Sequence, residues 1–393
     1  MHDEATLFKA GIAALQAGNT VEARARFQSA IDAGTASGKS WMGLALACVT
    51  AGDLDEAITA LDRVLQFEPH NIRALIMKGD ILMGRDEVQA APAYYGLALR
   101  VAAPLTSIPA QIQADLERIA GIQAQLMQRF EAHLLQQLSD AGYQRSSASD
   151  RFNASLDMLL GKVERPDLQQ AFPQAPHAYY MPDMPHYAFA PEGHLPWLRD
   201  LEAHTDIIEA ELIALLANRV DAFAPYIHDG LDRPQHAQTT LANSDTWTSS
   251  YLWQDGSPIP DVMAACPRTT ELMQALPLTG INGFSPSVLF SKLSAGGHIE
   301  PHSGMINTRL ICHLPLSVPA DCSLRVGADT RSVERGQAWA FDDSINHEAW
   351  NRSDSDRIIL LFDVWRPELS EEEQHCVKAL LEAVHNYRSQ TTS

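Results

Sequence analysis

The chain has 393 residues, a formal net charge of −20 and 46% apolar residues. This length allows two or three domains with substantial cores, and the acidic balance argues against nucleic acid as a partner. No apolar run long enough to span a bilayer and no basic, apolar leader is visible, so we expect no membrane anchor. Five scattered cysteines without a CxxC pair argue against a disulfide framework and a zinc ribbon, and we expect a cytoplasmic location.

The first hundred residues repeat with a period of 34, in four columns: Gly11, Ala45 and Gly79; Ala23, Ala57 and Ala91; Phe27, Leu61 and Tyr95; Ala30, Val64 and Ala98. Small residues therefore recur where paired helices would touch. This period, together with "AGDLDEAITALDRVLQFEPHN" at 51–71, resembles the tetratricopeptide repeat. A generic helical bundle is the alternative, but four columns in register favour repeats. We predict tetratricopeptide-like repeats over residues 1–105.

The middle of the chain changes character twice. Residues 107–138 have apolar positions at helical spacing and predict one long helix, within a helical linker placed at 106–174. Residues 170–197 carry six prolines, which is too many for a helix or a central strand, and they predict an ordered connection. A second domain is expected over 175–393.

From about Ser285 the apolar period becomes two, which is typical of short strands in a compact barrel or sandwich. The strand candidates are "SVLFSKL", "RLICHLPLSV", "SLRVGA", "AWAFDD", "HEAW" and "RIILLFDVW". The tail "SEEEQHCVKALLEAVHNYRS" opens with a Ser–Glu capping pattern and predicts a terminal helix.

Three histidines, His298, His302 and His313, lie close together in "HIEPHSGMINTRLICHLPL". His298 and His302 have the spacing of a zinc-protease helix, but Pro301 between them makes a continuous helix improbable. We therefore expect at most one of this pair to be a metal ligand.

A second cluster, "AFDDSINHEAW", places His347 in a turn between strands, and Arg357 follows at the head of the apolar strand "RIILLFDVW". A buried guanidinium needs an anion nearby. The order His302, His347, Arg357 is what a 2-oxoglutarate-dependent iron oxygenase requires, because two imidazoles hold Fe(II) and the arginine binds the far carboxylate of the cosubstrate. The carboxylate usual two residues after the first histidine is missing, since Gly304 stands there.

Other interpretations of these residues stay open. Asp342 or Asp343 is an alternative third ligand, although capping the turn or orienting outer groups and metal-bound water is favoured. Arg357 has a buried carboxylate partner, Asp363, as its alternative. His313 has the alternative of a hydrogen-bonded core residue.

Four stretches resemble the aspartyl/asparaginyl β-hydroxylase family: "FSKLSAGGHIEPHSG", "RLICHLPLSVP", "GQAWAFDDSINHEAWN" and "RIILLFDVWRPELSEEE". The pattern covers roughly residues 175–375, and tetratricopeptide repeats ahead of it fit the same resemblance. The fold class implied is α+β: a helical solenoid followed by a double-stranded β-helix of jelly-roll or cupin type. The family holds iron with two histidines and water in place of the carboxylate.

By this resemblance His302 and His347 are the iron ligands, and Arg357 binds the 2-oxoglutarate C5 carboxylate beside Ser291. His313 is expected at the C1 carboxylate, and Trp247 near the cosubstrate. Animal members carry an arginine two residues before the position of His313, where this chain has Ile311. Arg309, two residues further back on the same strand face, is the candidate for binding a substrate carboxylate.

The expected function is hydroxylation of the β-carbon of an aspartyl or asparaginyl residue in a peptide or protein, using Fe(II), 2-oxoglutarate and O2. The repeats are expected to engage that substrate. Two alternatives are a hydroxylase of a free amino acid or lipid acyl chain, and a tetratricopeptide adaptor whose barrel is only a scaffold.

Overall fold

The structure is a computed structural model, and it describes residues 4–35, 37–85, 90–219, 222–226, 241 and 244–389. By compactness the described chain divides into two units: a first that runs to residue 130 and a second formed by described residues between 131 and 387. No helix in the described residues is both long and apolar enough to cross a membrane. All five cysteines are free and buried.

The helices of the described residues are α1 (Glu4–Gln16), α2 (Thr20–Ala30), α3 (Gly38–Ala51), α4 (Leu54–Phe67), α5 (Ile72–Gly84), α6 (Ala91–Ala102), α7 (Ala110–Asp140), α8 (Asp150–Leu159), α9 (Trp197–Glu202), α10 (Thr205–Asn218), α11 (Pro260–Ala265), α12 (Pro267–Gln274) and α13 (Glu371–Ser389). The long helix predicted over 107–138 is α7. The reciprocal hydrogen bonds between Ser370 and Glu373 form the capping box predicted for α13.

The recurring columns of the repeats mark the contacts between paired helices. A Cβ atom built on Gly11 would lie 2.7 Å from the Phe27 ring, and one on Gly79 would lie 2.5 Å from the Tyr95 ring. Because only glycine leaves room for these aromatic rings, the close helix packing depends on both members of each pair. The chain turns from α3 to α4 through Gly52, whose φ of +80° is a conformation that favours glycine.

The second unit contains the strands β1 (Ala224–Pro225), β2 (Trp247–Gln254), β3 (Ser257–Pro258), β4 (Val288–Leu293), β5 (His298–His302), β6 (Arg309–Ser317), β7 (Cys322–Val326), β8 (Asp329–Ser332), β9 (Trp339–Phe341), β10 (His347–Asn351) and β11 (Arg357–Trp365). One sheet has the order β1-β2-β4-β11-β6-β9, with β3 beside β2, and the other has the order β5-β10-β7-β8. All pairings are antiparallel. Six of these strands, β4, β6, β7, β9, β10 and β11, fall on the strand candidates predicted from the alternation of apolar residues.

The larger sheet is covered on both faces. On β11, Leu360 and Phe362 pack in a core with helices α9 to α12, whereas Ile359 packs with residues of the smaller sheet. The same alternation on β6 sends Cys312 to the helices and Ile311 to the other side. The functional side chains therefore come from the strand faces that lie between the two sheets. The predicted α+β class, helical repeats followed by an antiparallel two-sheet domain, is confirmed.

The proline-rich segment is part of the second unit. Main-chain amides of His177 and Ala178 donate to the carbonyls of Gly304 and Met305 at 3.0 and 2.8 Å. The Met181 amide donates to the side chain of Asn307 at 2.8 Å. This segment therefore supports the loop that follows β5.

Candidate active site

The two histidines His302 and His347 meet across neighbouring strands. They are paired in register between β5 and β10, and their ring centroids are 4.1 Å apart. His302 Nδ1 lies 2.8 Å from the carbonyl of Glu300, and His347 Nδ1 lies 2.9 Å from the carbonyl of Ile345. Because a carbonyl only accepts, each Nδ1 carries the proton, and each Nε2 keeps its lone pair for a metal.

The surroundings of both rings favour the neutral form that a metal ligand requires. Burial lowers the pKa of His302. Burial, reinforced by the neighbouring His302, lowers the pKa of His347 to about 3. Neutral imidazoles with a fixed tautomer suit a divalent transition metal such as Fe(II).

His298 does not share this site, because β5 and β10 are joined through a bulge. The register changes between His347 and Ala349, so that Ala349 pairs with Ile299 and Trp350 with His298. The extra residue places His298 against Trp350, with stacked rings 5.2 Å apart, instead of in the cavity. Of this pair only His302 lines the cavity, and this geometry is compatible with the prediction that at most one of the two is a metal ligand.

Gly304 stands at the position where a carboxylate ligand is usual. The carboxylate of Asp343 occupies the space beside it. A Cβ atom built on Gly304 would lie 2.0 Å from Asp343 Oδ2. The Gly304 amide donates to the Asp343 carbonyl at 2.6 Å. Burial raises the pKa of Asp343 to about 6, opposed by Arg309. A carboxylate from the turn after β9 thus approaches the place that a side chain at 304 would occupy.

Asp342 has a different role from its neighbour. Its carboxylate accepts hydrogen bonds from the Ser344 amide, Gln174 and Arg366, and the Arg366 contact is 2.7 Å long. It is fully buried in this network and does not line the cavity. Among the described residues, no group of three or more His, Cys, Asp or Glu side chains is arranged to hold a metal ion.

Arg357 heads β11 as a buried cation, with only 2% of its surface exposed. In the described part of the chain it has no carboxylate partner, and its Nε atom has no hydrogen-bond partner. Burial lowers its pKa to about 10. The alternative partner Asp363 instead contacts Thr279, Ser285, Ser287 and Arg309. An anion is therefore required beside Arg357, and a ligand carboxylate fits this need.

Three further predicted residues surround these groups. Trp247 Nε1 donates to Ser291 Oγ at 3.0 Å, which fixes both side chains on adjacent strands. His313 is buried with its ring edge against Phe341, at a centroid distance of 5.0 Å. Burial lowers the pKa of His313 well below its usual value, with Arg357 and His347 adding to the effect, so the ring is neutral.

Arg309 reaches the cavity with its charge already paired. Its guanidinium lies 3.3 Å from Asp343 and 3.5 Å from Asp363, and over the Phe284 ring. These carboxylates raise its pKa despite burial. The predicted role of Arg309 in binding a substrate carboxylate must therefore compete with two existing partners.

All seven predicted site residues line one cavity of about 250 Å³ between the sheets: Trp247, Ser291, His302, Arg309, His313, His347 and Arg357. Tyr226 also lines it and stacks on Trp247 at 4.0 Å, and the sequence carried no signal for it. Most of the remaining wall is apolar and includes Ile311, Phe341 and Leu361. The arrangement can hold a metal between the two imidazoles and a carboxylate at Arg357, within a mainly apolar wall.

Comparison with known proteins agrees with this site. Residues 202–367 match the family model "Aspartyl/Asparaginyl beta-hydroxylase". This part of the chain is similar to the aspartyl/asparaginyl β-hydroxylase family. Residues 8–72 and 49–105 match the tetratricopeptide repeat model. The resemblance seen in the sequence is confirmed for both parts of the chain.

The relatives that match the second part of the chain have different names. Human aspartyl/asparaginyl beta-hydroxylase is 29% identical over 190 residues, which are 48% of this chain and 23% of that protein. Aspartate beta-hydroxylase domain-containing protein 2 of Xenopus tropicalis is 28% identical over 53% of this chain and 55% of its own length. Ornithine lipid ester-linked acyl 2-hydroxylase of Rhizobium tropici is 29% identical over 44% and 58%. The match thus spans between 23% and 58% of the length of these relatives.

Solved structures resemble the two parts separately. The TPR2B domain of yeast Sti1 in complex with an Hsp70 peptide has a TM-score of 0.27 at 16% identity and covers 30% of this chain and 96% of its own. The Schizosaccharomyces pombe Cnp3 cupin domain has a TM-score of 0.22 at 7% identity and covers 31% and 66%.

Proposed function

We propose that this chain is an Fe(II)- and 2-oxoglutarate-dependent dioxygenase that hydroxylates the β-carbon of an aspartyl or asparaginyl residue in a peptide or protein. The observation that carries the proposal is the pairing, in one cavity, of two imidazoles that are protonated on Nδ1 and one buried guanidinium that has no carboxylate partner among the described residues. The match of residues 202–367 to the β-hydroxylase family model supports hydroxylation in general.

Each residue has a part in this proposal that follows from its position. His302 and His347 would hold the metal, and Arg357 and Ser291 would orient the far carboxylate of 2-oxoglutarate. Bound iron with 2-oxoglutarate and O2 supplies the oxidising power for an unactivated C–H bond. Trp247 and the apolar wall exclude water and hold the cosubstrate in one orientation. Asp343 stands beside the open side of the site, near Gly304, and can hold water there by hydrogen bonding.

The first test measures succinate formed from 2-oxoglutarate by the full chain with Fe(II) and O2. His302→Ala and His347→Ala should each abolish this reaction and weaken Co(II) binding, followed by absorbance, by at least about 100-fold, since even outer partners of a ligand contribute 10–100-fold. His298→Ala is the matched control, because His298 stacks on Trp350 outside the cavity and should keep both properties. Succinate formation that survives both ligand substitutions would remove the metal assignment.

A lipid acyl chain is the second candidate substrate. The acyl hydroxylase of Rhizobium tropici is among the relatives, and the cavity wall is mainly apolar. Mass spectrometry that finds one added oxygen on a peptide supports the first candidate, and one on an acyl chain supports the second. The adaptor alternative predicts no succinate at all.

The repeats are proposed to engage the peptide or protein substrate, as tetratricopeptide repeats do in other proteins. The cytoplasmic location stays a prediction from the sequence.

A further inference from the structure

Tyr226 is a residue of the cavity wall that the sequence did not predict, and it contacts Trp247 in two ways. Its main-chain amide donates to the Trp247 carbonyl at 2.9 Å, which continues the pairing of β1 with β2. Its ring stacks on the Trp247 indole at a centroid distance of 4.0 Å and an interplanar angle of 18°. Aromatic rings in such a stack attract each other beyond the area that they bury. Tyr226 therefore holds the indole in one orientation.

The orientation of Trp247 decides how Ser291 can form hydrogen bonds. The indole Nε1 lies 3.0 Å from Ser291 Oγ, and because an indole N–H only donates, the Ser291 oxygen is the acceptor. The hydroxyl keeps its own hydrogen, which has no acceptor in the part of the chain that the structure describes. Ser291 is 1% exposed and lines the cavity. An acceptor on a ligand in the cavity would satisfy this buried hydrogen.

Ser291 and Arg357 face the same part of the cavity from adjacent strands. Ser291 on β4 pairs with Ile359 on β11, and Arg357 lies two residues before Ile359 on the same strand face. Residues in this diagonal relation are about 7–8 Å apart, which long side chains can bridge. A carboxylate beside the Arg357 guanidinium can therefore also accept from the Ser291 hydroxyl.

We infer that Tyr226 is a positioning residue for the cosubstrate. By stacking on Trp247 it keeps the indole N–H on Ser291, so that the Ser291 hydroxyl hydrogen stays available to the far carboxylate of 2-oxoglutarate. This inference rests on the proposed function, because that carboxylate is assigned there to Arg357 and Ser291. The stacked ring carries the effect and the phenol hydroxyl does not, so Tyr226→Phe should retain it.

The test measures binding of 2-oxoglutarate to the full chain loaded with Zn(II), by isothermal titration calorimetry. Tyr226→Leu keeps an apolar side chain but removes the ring, and it should weaken binding by about three- to tenfold, the range that the loss of one aromatic pair gives. Tyr226→Phe should bind like the wild-type protein. Tyr143→Leu is the matched control, because it loses an aromatic contact with Phe152 away from the cavity and should leave binding unchanged.

A double-mutant cycle with Ser291→Ala separates positioning from a general structural effect. Ser291→Ala removes the hydroxyl that the indole orients, so adding Tyr226→Leu to it should weaken binding by less than about twofold. A ring that only supported the wall would instead weaken binding by the same factor in both backgrounds.

Unchanged affinity in Tyr226→Leu overturns the inference. So does a Tyr226→Phe variant that binds as weakly as Tyr226→Leu, an equal loss in Tyr143→Leu, or an effect of Tyr226→Leu that is the same in the Ser291→Ala background. If Tyr226→Leu shows no cooperative melting transition by circular dichroism, Tyr226→Met takes its place with the same expected results. Failure of the proposed function is distinct, because the wild-type protein itself then binds no 2-oxoglutarate, and the inference that rests on it fails as well.

Discussion

Arg357 is a residue whose burial makes sense only with a ligand present. A guanidinium with 2% exposure, without an ion pair in the described chain and with its pKa lowered to about 10, is destabilising as it stands. Under the proposed function, a bound dicarboxylate would convert this desolvation cost into binding energy and would be selected for a terminal carboxylate that reaches Arg357. The burial that would make Arg357 bind a carboxylate strongly is thus the same burial that destabilises the protein when no anion is bound.

Arg357→Gln should raise the KM for 2-oxoglutarate by about 10–100-fold, because a buried charge pair loses its cationic member. Steady-state succinate formation measures this change. The matched control is Arg352→Gln, since Arg352 lies over the Trp350 ring away from the cavity and should leave the KM unchanged. An unchanged KM in Arg357→Gln would contradict the assigned contact.

Gly304 is needed because of Asp343. Gly304→Ala should destabilise the protein by about 1–3 kcal/mol, since the new methyl group meets Asp343 Oδ2. In an Asp343→Ala background the same substitution should cost almost nothing. Urea denaturation of the four proteins of this double-mutant cycle measures the coupling.

The control for this cycle is Gly121→Ala on α7, where no atom lies within 4 Å of the added Cβ, and which should stabilise by up to about 1 kcal/mol. Additive effects of Gly304→Ala and Asp343→Ala would show that these side chains do not compete for space.

At the scale of elements, alternation in the sequence was sufficient to predict β4, β6, β7, β9, β10 and β11, whereas β5 and β8 were not among the predicted strands. The 34-residue period predicted the repeats, and the Ser–Glu pattern predicted the capping box of α13. The approach of Asp343 to Gly304 depends on the turn after β9, and the pairing of Arg309 with Asp363 depends on the register of β6 and β11. Neither could be predicted, because each joins residues far apart in the chain. The bulge in β5 could not be predicted either. Its one extra residue turns His298 to the opposite face of the strand from His302, although the apolar pattern of the sequence does not change there.

The capping box of α13 also carries an ion pair with α8. Arg151 holds Glu373, and with the Ser370 amide it lowers the pKa of this carboxyl to about 2. A lowered pKa stabilises the fold above the unfolded value of about 4.5, and this stability is lost as pH falls toward 2.

Glu373→Gln should therefore lower the free energy of unfolding at pH 7 by on the order of 2–3 kcal/mol. The difference from the wild-type protein should shrink at pH 3, as urea titrations at both values can show. Glu371→Gln, in the same helical turn but exposed, is the control and should change little. A deficit that stays constant with pH would contradict the assigned ion pair.

At the scale of the whole molecule, each of the two units has its own hydrophobic core. The core of the repeats depends on contacts such as that of Gly43, where an added Cβ would lie 2.4 Å from the Phe27 ring. The catalytic cavity is built entirely from residues of the second unit. A defect in the repeats should therefore weaken binding of a long substrate and leave the reaction in the cavity unchanged.

Gly43→Val should destabilise the repeats by about 1–3 kcal/mol or more and reduce turnover on long peptides. Consumption of 2-oxoglutarate without substrate should persist. Gly84→Ala, which meets nothing within 4 Å, is the control for a helical glycine of the same repeats. If turnover on long peptides is unaffected while limited proteolysis shows the repeats opened, the repeats do not engage the substrate.

The anchoring of both imidazoles has a consequence for how the site tolerates change. The groups that fix their tautomers are carbonyls of the main chain, two positions upstream of each ring. A substitution replaces a side chain and keeps the peptide oxygen. Replacing the side chain of Glu300 or Ile345 therefore does not remove the carbonyl that accepts from the histidine Nδ1. The orientation of both rings, which the proposed metal site requires, therefore does not depend on the side chains of the surrounding wall, and these side chains can change without altering it.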